Sequence, residues 1–138
     1  MSASSPETSE KMINQVMSTL ALAFRTRSAE TLRELLPEDG RVFLSLSPPG
    51  DGSGYYGRDQ VYFIFNKIYS ERETIRFDIR PAGPASPGSE ARNAAVPARC
   101  AASWSYRGAD GRVDAVRIQF SFNVNHGTWT VSEIREAR

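Results

Sequence analysis

The sequence predicts an α+β domain, with three helices on the N-terminal side packed against a strongly curved, mostly antiparallel sheet. Three observations carry this reading. Apolar residues recur at helical spacing in three segments before residue 71. From residue 73 the period changes to two and stays there to the end. Gly, Pro, Asn and Asp clusters separate the periodic segments, as turns require.

The first helix is expected at residues 6–26. Ser5 can cap it, Pro6 suits its first position, and Glu7 complements the helix dipole. Ile13, Val16, Met17, Leu20 and Phe24 then share one face. Ser28 caps a short second helix bearing Leu32, Leu35 and Leu36, which Pro37 through Gly40 ends. Val42, Leu44 and Leu46 alternate with Phe43, Ser45 and Ser47 and read as a strand. Pro48 through Gly54 reads as a turn-rich loop, and Tyr55–Tyr56 as a very short returning strand. Gly57-Arg58-Asp59 opens a third helix, whose buried stripe is Val61, Ile64, Phe65 and Ile68.

In the second half, Ile75, Phe77 and Ile79 alternate with Arg76, Asp78 and Arg80. Residues 81–93 read as a flexible loop. Val96, Ala98, Cys100, Ala102, Trp104 and Tyr106 share one face of the next strand, and Val116, Ile118, Phe120, Phe122 and Val124 one face of the strand after it. Matching these faces pairs Trp104 with Val116, Ala102 with Ile118, Cys100 with Phe120 and Ala98 with Phe122. That register leaves Ala109-Asp110-Gly111 as a three-residue loop, with Gly111 where a left-handed residue is needed. Asn125-His126-Gly127 is a second turn, and Trp129 and Val131 begin the last strand.

Composition excludes several roles. The chain has 138 residues, about one domain, and residues 1–5 are expected to lie outside the ordered fold. One Cys and one His exclude an internal disulfide and Cys-rich or paired-His metal sites, so no metal and no cofactor is expected. A net charge of +1 argues against a nucleic-acid binder. No apolar stretch approaches membrane-spanning length. Met1 through Pro6 lacks the basic segment and apolar core of a signal peptide, so a cytoplasmic location is expected.

The element order, together with Gly57-Arg-Asp-Gln-Val61 before the third helix and Gly127-Thr-Trp-Thr-Val-Ser-Glu-Ile134 at the end, resembles the nuclear transport factor 2-like superfamily. That group includes ketosteroid isomerases, scytalone dehydratase and the SnoaL-like polyketide cyclases. The resemblance implies a cone-shaped, cystatin-like roll with a pocket between the first and third helices and the concave sheet. It also implies a homodimer paired through the outer sheet face.

The residues that the resemblance places at the pocket are Phe24, Phe65, Cys100, Trp104, Phe120 and Trp129. An aromatic wall suits a small, largely apolar ligand, and it suits a solid core equally well. Isomerase chemistry needs a carboxylate base with Tyr and acid partners, and dehydratase chemistry needs His with Asp. Neither set falls on the expected inner face, so no catalytic residue is assigned. The expectation is a non-catalytic ligand-binding or scaffold domain. The alternative is an isomerase, dehydratase or cyclase acting on an apolar cyclic substrate. His126 reads as a turn residue, Cys100 as a buried apolar group, and Asp78 as a surface charge.

Overall fold

The computed structural model describes residues 6–46, 52–82, 99–125 and 128–137. Helix α1 spans Pro6–Thr26 and α2 spans Ala29–Arg33. Strands β1 (Val42–Leu46) and β2 (Gly52–Tyr56) follow, then α3 (Arg58–Glu71). Strands β3 (Arg72–Pro81), β4 (Arg99–Gly108), β5 (Val113–Asn125) and β6 (Thr128–Ala137) come after it. Among the described residues, one curved, unclosed six-stranded sheet runs in the order β2-β1-β6-β5-β4-β3. All its pairings are antiparallel except β1 with β6, which is parallel.

Local chemistry sets the helix ends. At the end of α1, Arg27 takes a left-handed conformation (φ 56°), which lets Ser28 N–H donate to the Ala23 carbonyl at 2.8 Å. Ser28 then caps α2 by accepting from Thr31 N–H at 3.1 Å. At the start of α3 the Gln60 side chain accepts from Gly57 N–H at 2.8 Å.

The long hairpin has the register that its faces and turn dictate. Trp104 opposes Val116, Ala102 opposes Ile118, and Cys100 opposes Phe120. Gly108 N–H donates to the Arg112 carbonyl at 2.8 Å, and Gly111 sits at φ +85°. A side chain there would be strained by the backbone alone, because nothing lies within 4 Å of its Cβ position.

Two sequence expectations are corrected. Gly52, Ser53 and Gly54 belong to a strand rather than a loop. They pair with Leu46, Ser45 and Leu44, and the Ser53 hydroxyl donates to Ser45 Oγ at 3.1 Å. Ile75 does not join Phe77 on the buried face and is 51% exposed. A bulge between Thr74 and Arg76 resets the alternation, so Arg72 and Thr74 turn inward while Ile75 turns out. The expected positions of Val96, Ala98 and His126 lie outside the described residues.

The core lies between the helices and the inner sheet face. Val16, Leu20 and Phe24 of α1, Val61, Phe65, Ile68 and Tyr69 of α3, and Phe77, Trp104, Phe120, Phe122, Val131 and Ile134 of the sheet are all buried. Each large apolar side chain buried this way contributes roughly 1.5–3 kcal/mol. Polar bonds fix where α1 sits on β3. Arg25 donates to the Phe77 carbonyl through Nη2 at 2.8 Å and Nε at 3.2 Å, and the Thr74 hydroxyl donates to the Phe24 carbonyl at 2.7 Å. At the other side, Val131 N–H donates to the Leu35 carbonyl at 2.8 Å, which ties the chain after α2 to β6.

Candidate functional site

The inner face converges on the ring of Phe24. Phe77 stacks on it with centroids 4.5 Å apart. Trp104 at 4.9 Å, Tyr69 at 5.4 Å, and Phe65 and Phe120 at 5.9 Å meet it edge-on. These are contact distances for aromatic pairs, so five rings pack directly on Phe24. The Trp104 indole N–H, which would otherwise be a buried orphan donor, reaches the Thr74 hydroxyl at 2.9 Å.

The sequence-expected site residues are therefore brought together in part. Phe24, Phe65, Trp104 and Phe120 form one ring cluster. Cys100 is fully buried, and its backbone lies opposite Phe120 on the neighbouring strand. Trp129 sits further along β6 and is only partly buried, beside Phe122 at 6.3 Å. Asp78 is exposed and paired with Arg76 on the outer side of β3.

Polar groups that sequence reasoning had not placed on the inner face also lie there. Arg72, at the start of β3, donates from Nη1 to Glu136 Oε2 at 2.9 Å, and both side chains are buried, 5% and 2% exposed. The Arg72 guanidinium lies 4.3 Å from the Tyr106 ring centroid and 5.2 Å from that of Trp104. Strands β4 and β5 separate β3 from β6, so this ion pair crosses the inner face. Tyr69 carries a buried hydroxyl that has no hydrogen-bond partner among the described residues.

Electrostatics leaves these groups protonated or engaged. Burial raises the Tyr69 phenol well above its ordinary value. Burial also pushes the Cys100 thiol up to about 12, far from the thiolate a nucleophile needs. Among the described residues no cluster of His, Cys, Asp and Glu can hold a metal ion. An open groove of about 550 Å³ lies on the polar side of α1, lined by Lys11, Asn14, Gln15, Ser18 and Thr19. None of these is an acid or a residue of the aromatic cluster. Among the described residues no helix is long and apolar enough to cross a membrane.

The outer face differs in character. Ser103, Ser105, Arg117 and Gln119 lie beside one another on β4 and β5. On β1 and β2 the Phe43 and Tyr55 rings meet at 5.1 Å, with Tyr55 65% exposed, and Arg135 lies over Phe43 at 4.9 Å.

No protein-family model matches the sequence, and no curated protein matches it. Solved structures do. A protein from Novosphingobium aromaticivorans described as a candidate aromatic ring hydroxylase is 19% identical, with a TM-score of 0.66 over 97% of this chain and 91% of that one. An NTF2-like protein from Anabaena variabilis is 14% identical, with a TM-score of 0.62 over 99% and 92%. A DUF4783 family protein from Bacteroides uniformis is 11% identical, with a TM-score of 0.67 over 88% and 94%. Likeness at these identities speaks to the fold and leaves the chemistry to the residues.

Proposed function

Since the chain has the nuclear transport factor 2-like fold, we propose that it is a non-catalytic scaffold domain, a single cytoplasmic unit that pairs with a second copy through its outer sheet face. The observation that carries this reading is the ring cluster around Phe24. Five rings in contact with it support a role in the core, rather than in a pocket wall, for Phe24, Phe65, Trp104 and Phe120. The buried ionisable groups support the absence of catalysis. A general base must be free to accept a proton at working pH. Glu136 is bound to Arg72, and Tyr69 and Cys100 hold their own protons.

The outer face supports self-association. Aromatic residues and Arg are the types enriched in protein interfaces, and Phe43, Tyr55 and Arg135 supply them beside a row of small polar residues. A two-fold interface uses the same patch on both copies. Sedimentation equilibrium at micromolar concentration tests it. The expected mass is twice the chain's 15.3 kDa, and a clean 15.3 kDa species removes the dimer.

One observation favours the second reading, in which Phe24, Phe65, Cys100, Trp104, Phe120 and Trp129 bind a small apolar ligand. The Tyr69 ring packs against Phe24 of this cluster, and its buried hydroxyl, which has no hydrogen-bond partner among the described residues, is a donor for a ligand oxygen. Native mass spectrometry of protein purified from its own host distinguishes the two. A retained small molecule supports the ligand reading, and bare protein supports the scaffold.

A further inference from the structure

We infer that the outer face of β3, β4 and β5 is a docking surface for an acidic, extended peptide segment of a partner protein, held by Arg80, Arg99 and Arg117. The inference goes beyond the scaffold reading. The aromatic patch offered for self-association lies on β1 and β2, and β6 stands between it and this surface.

Alternation along the strands places the charges. Ile79, Cys100 and Ile118 pack inward, so Arg80, Arg99 and Arg117 beside them turn outward and are exposed. Among the described residues, the carboxylates of this outer face each hold an arginine already. Asp78 pairs with Arg76, Glu73 with Arg107, and Glu133 with Arg135. Arg80, Arg99 and Arg117 have no ion-pair partner among the described residues. A chain whose net charge is only +1 therefore gathers a cationic surplus on one patch.

Register sets the three arginines around a low floor. Arg80 stands beside Ala101, Arg117 beside Ser103, and Arg99 one same-face step beyond Ala101 on β4. Strands lie about 4.8 Å apart, and same-face residues about 6.8 Å apart along a strand. The backbone of Arg80 is thus about 8 Å from that of Arg99 and about 12 Å from that of Arg117. Alternate side chains of an extended peptide recur on one side about every 6.8 Å, so successive carboxylates can each meet a guanidinium. Each fork can take a carboxylate through two parallel N–H···O bonds. Ala101, Ser103 and Gln119 form the floor between them. That floor has no ring on which a base could stack and no large apolar group to enter a lipid layer, which favours a peptide over a nucleic acid or a membrane.

The probe is a fluorescently labelled peptide with glutamate at every second position and serine between, followed by anisotropy. Its control carries glutamine in place of glutamate. Wild type should bind the acidic peptide saturably, more weakly as salt is raised, and ignore the control. Combining Arg80→Gln, Arg99→Gln and Arg117→Gln should weaken binding by about tenfold or more. Combining Lys11→Gln, Arg41→Gln and Lys67→Gln removes the same charge from exposed positions on α1, before β1 and on α3, and should leave affinity within about twofold. Equal losses in the two triple variants would overturn the inference, because net charge alone would then explain binding. So would an absent wild-type signal, or equal binding of the glutamine control. Tighter binding of oligothymidine or of phosphatidylserine vesicles at equal salt would also overturn it. Circular dichroism reports folding. Should the first triple variant not fold, the three single substitutions decide: each should weaken binding, and undiminished affinity in all three overturns the inference.

Discussion

Replacing Phe24 by Ala removes the ring on which five others converge. The side chain is fully buried, and its neighbours come from α3, β3, β4 and β5. Surrounding elements cannot collapse inward together, because β3, β4 and β5 are hydrogen-bonded into one sheet. The loss therefore includes both the transfer of the phenyl group and a residual cavity, about 3–5 kcal/mol in all. Against a typical domain stability of about 5–15 kcal/mol, that is a large share. Urea unfolding followed by circular dichroism reads it directly. With a slope of about 2 kcal/mol/M, the midpoint falls by about 2 M while the slope stays constant. Phe120→Ala, which removes a fully buried ring in edge-on contact with Phe24, should behave alike. A midpoint shift below about 0.5 M with unchanged slope would refute the reasoning, because it would mean the rings are not packed on one another.

Other consequences follow from single features. Gly111→Ala should cost about 1–2 kcal/mol through backbone strain alone, since φ is +85° and no atom obstructs the new Cβ. Thermal unfolding checks this, and Asn in place of Ala should recover part of the loss. Removing one member of the Arg72–Glu136 pair should cost roughly 3–5 kcal/mol, whereas Arg72→Met with Glu136→Leu should come close to wild type. A double-mutant cycle by chemical denaturation measures it. The Cys100 thiol has its folded pKa raised from 9.0 to about 12, so its contribution is complete below pH 9 and is lost as pH rises toward 12. Stability should fall by up to about 1.4 kcal/mol per pH unit across that window, and Cys100→Ala should reduce the slope. Tyr69 adds a loss of the same sign above its ordinary value of 10.0. Iodoacetamide at pH 8 should leave folded Cys100 unmodified and alkylate it once urea unfolds the chain.

The parts of the fold legible in the sequence are those where two local signals agree. In the β4–β5 hairpin, matching apolar faces and the left-handed Gly111 specify one register, and a slip by one residue would turn Arg117 into the core. The stripe from Ile13 to Phe24 and the Ser28 cap place α1 and α2 in the same way. The polar inner-face groups were hidden because bulges break the period of two. Simple alternation through Ile75, Phe77 and Ile79 turns Arg72 outward, and the bulge beside Thr74 turns it in. On β6, alternation from Trp129 and Val131 turns Glu136 outward. A second register shift, between Phe122–Val131 and Ser121–Glu133, turns Ile134 and Glu136 inward. Ile134, three residues after Val131, was the available signal. Tyr69 was also within reach, since Val61, Phe65, Ile68 and Tyr69 stand at helical spacing on α3. Which rings touch, and whether space remains between them, depends on rotamers that periodicity does not encode.

On the function proposed above, the inner face is a filled core and the protein a non-catalytic scaffold. The most direct test is titration of the native protein with a neutral polycyclic probe, followed by Trp fluorescence and by energy transfer from Trp to the probe. A filled core predicts no saturable signal, with Trp104→Phe giving the same flat response. A saturable signal that Trp104→Phe abolishes in a folded protein would contradict the claim and place an open pocket among Phe24, Phe65, Trp104 and Phe120.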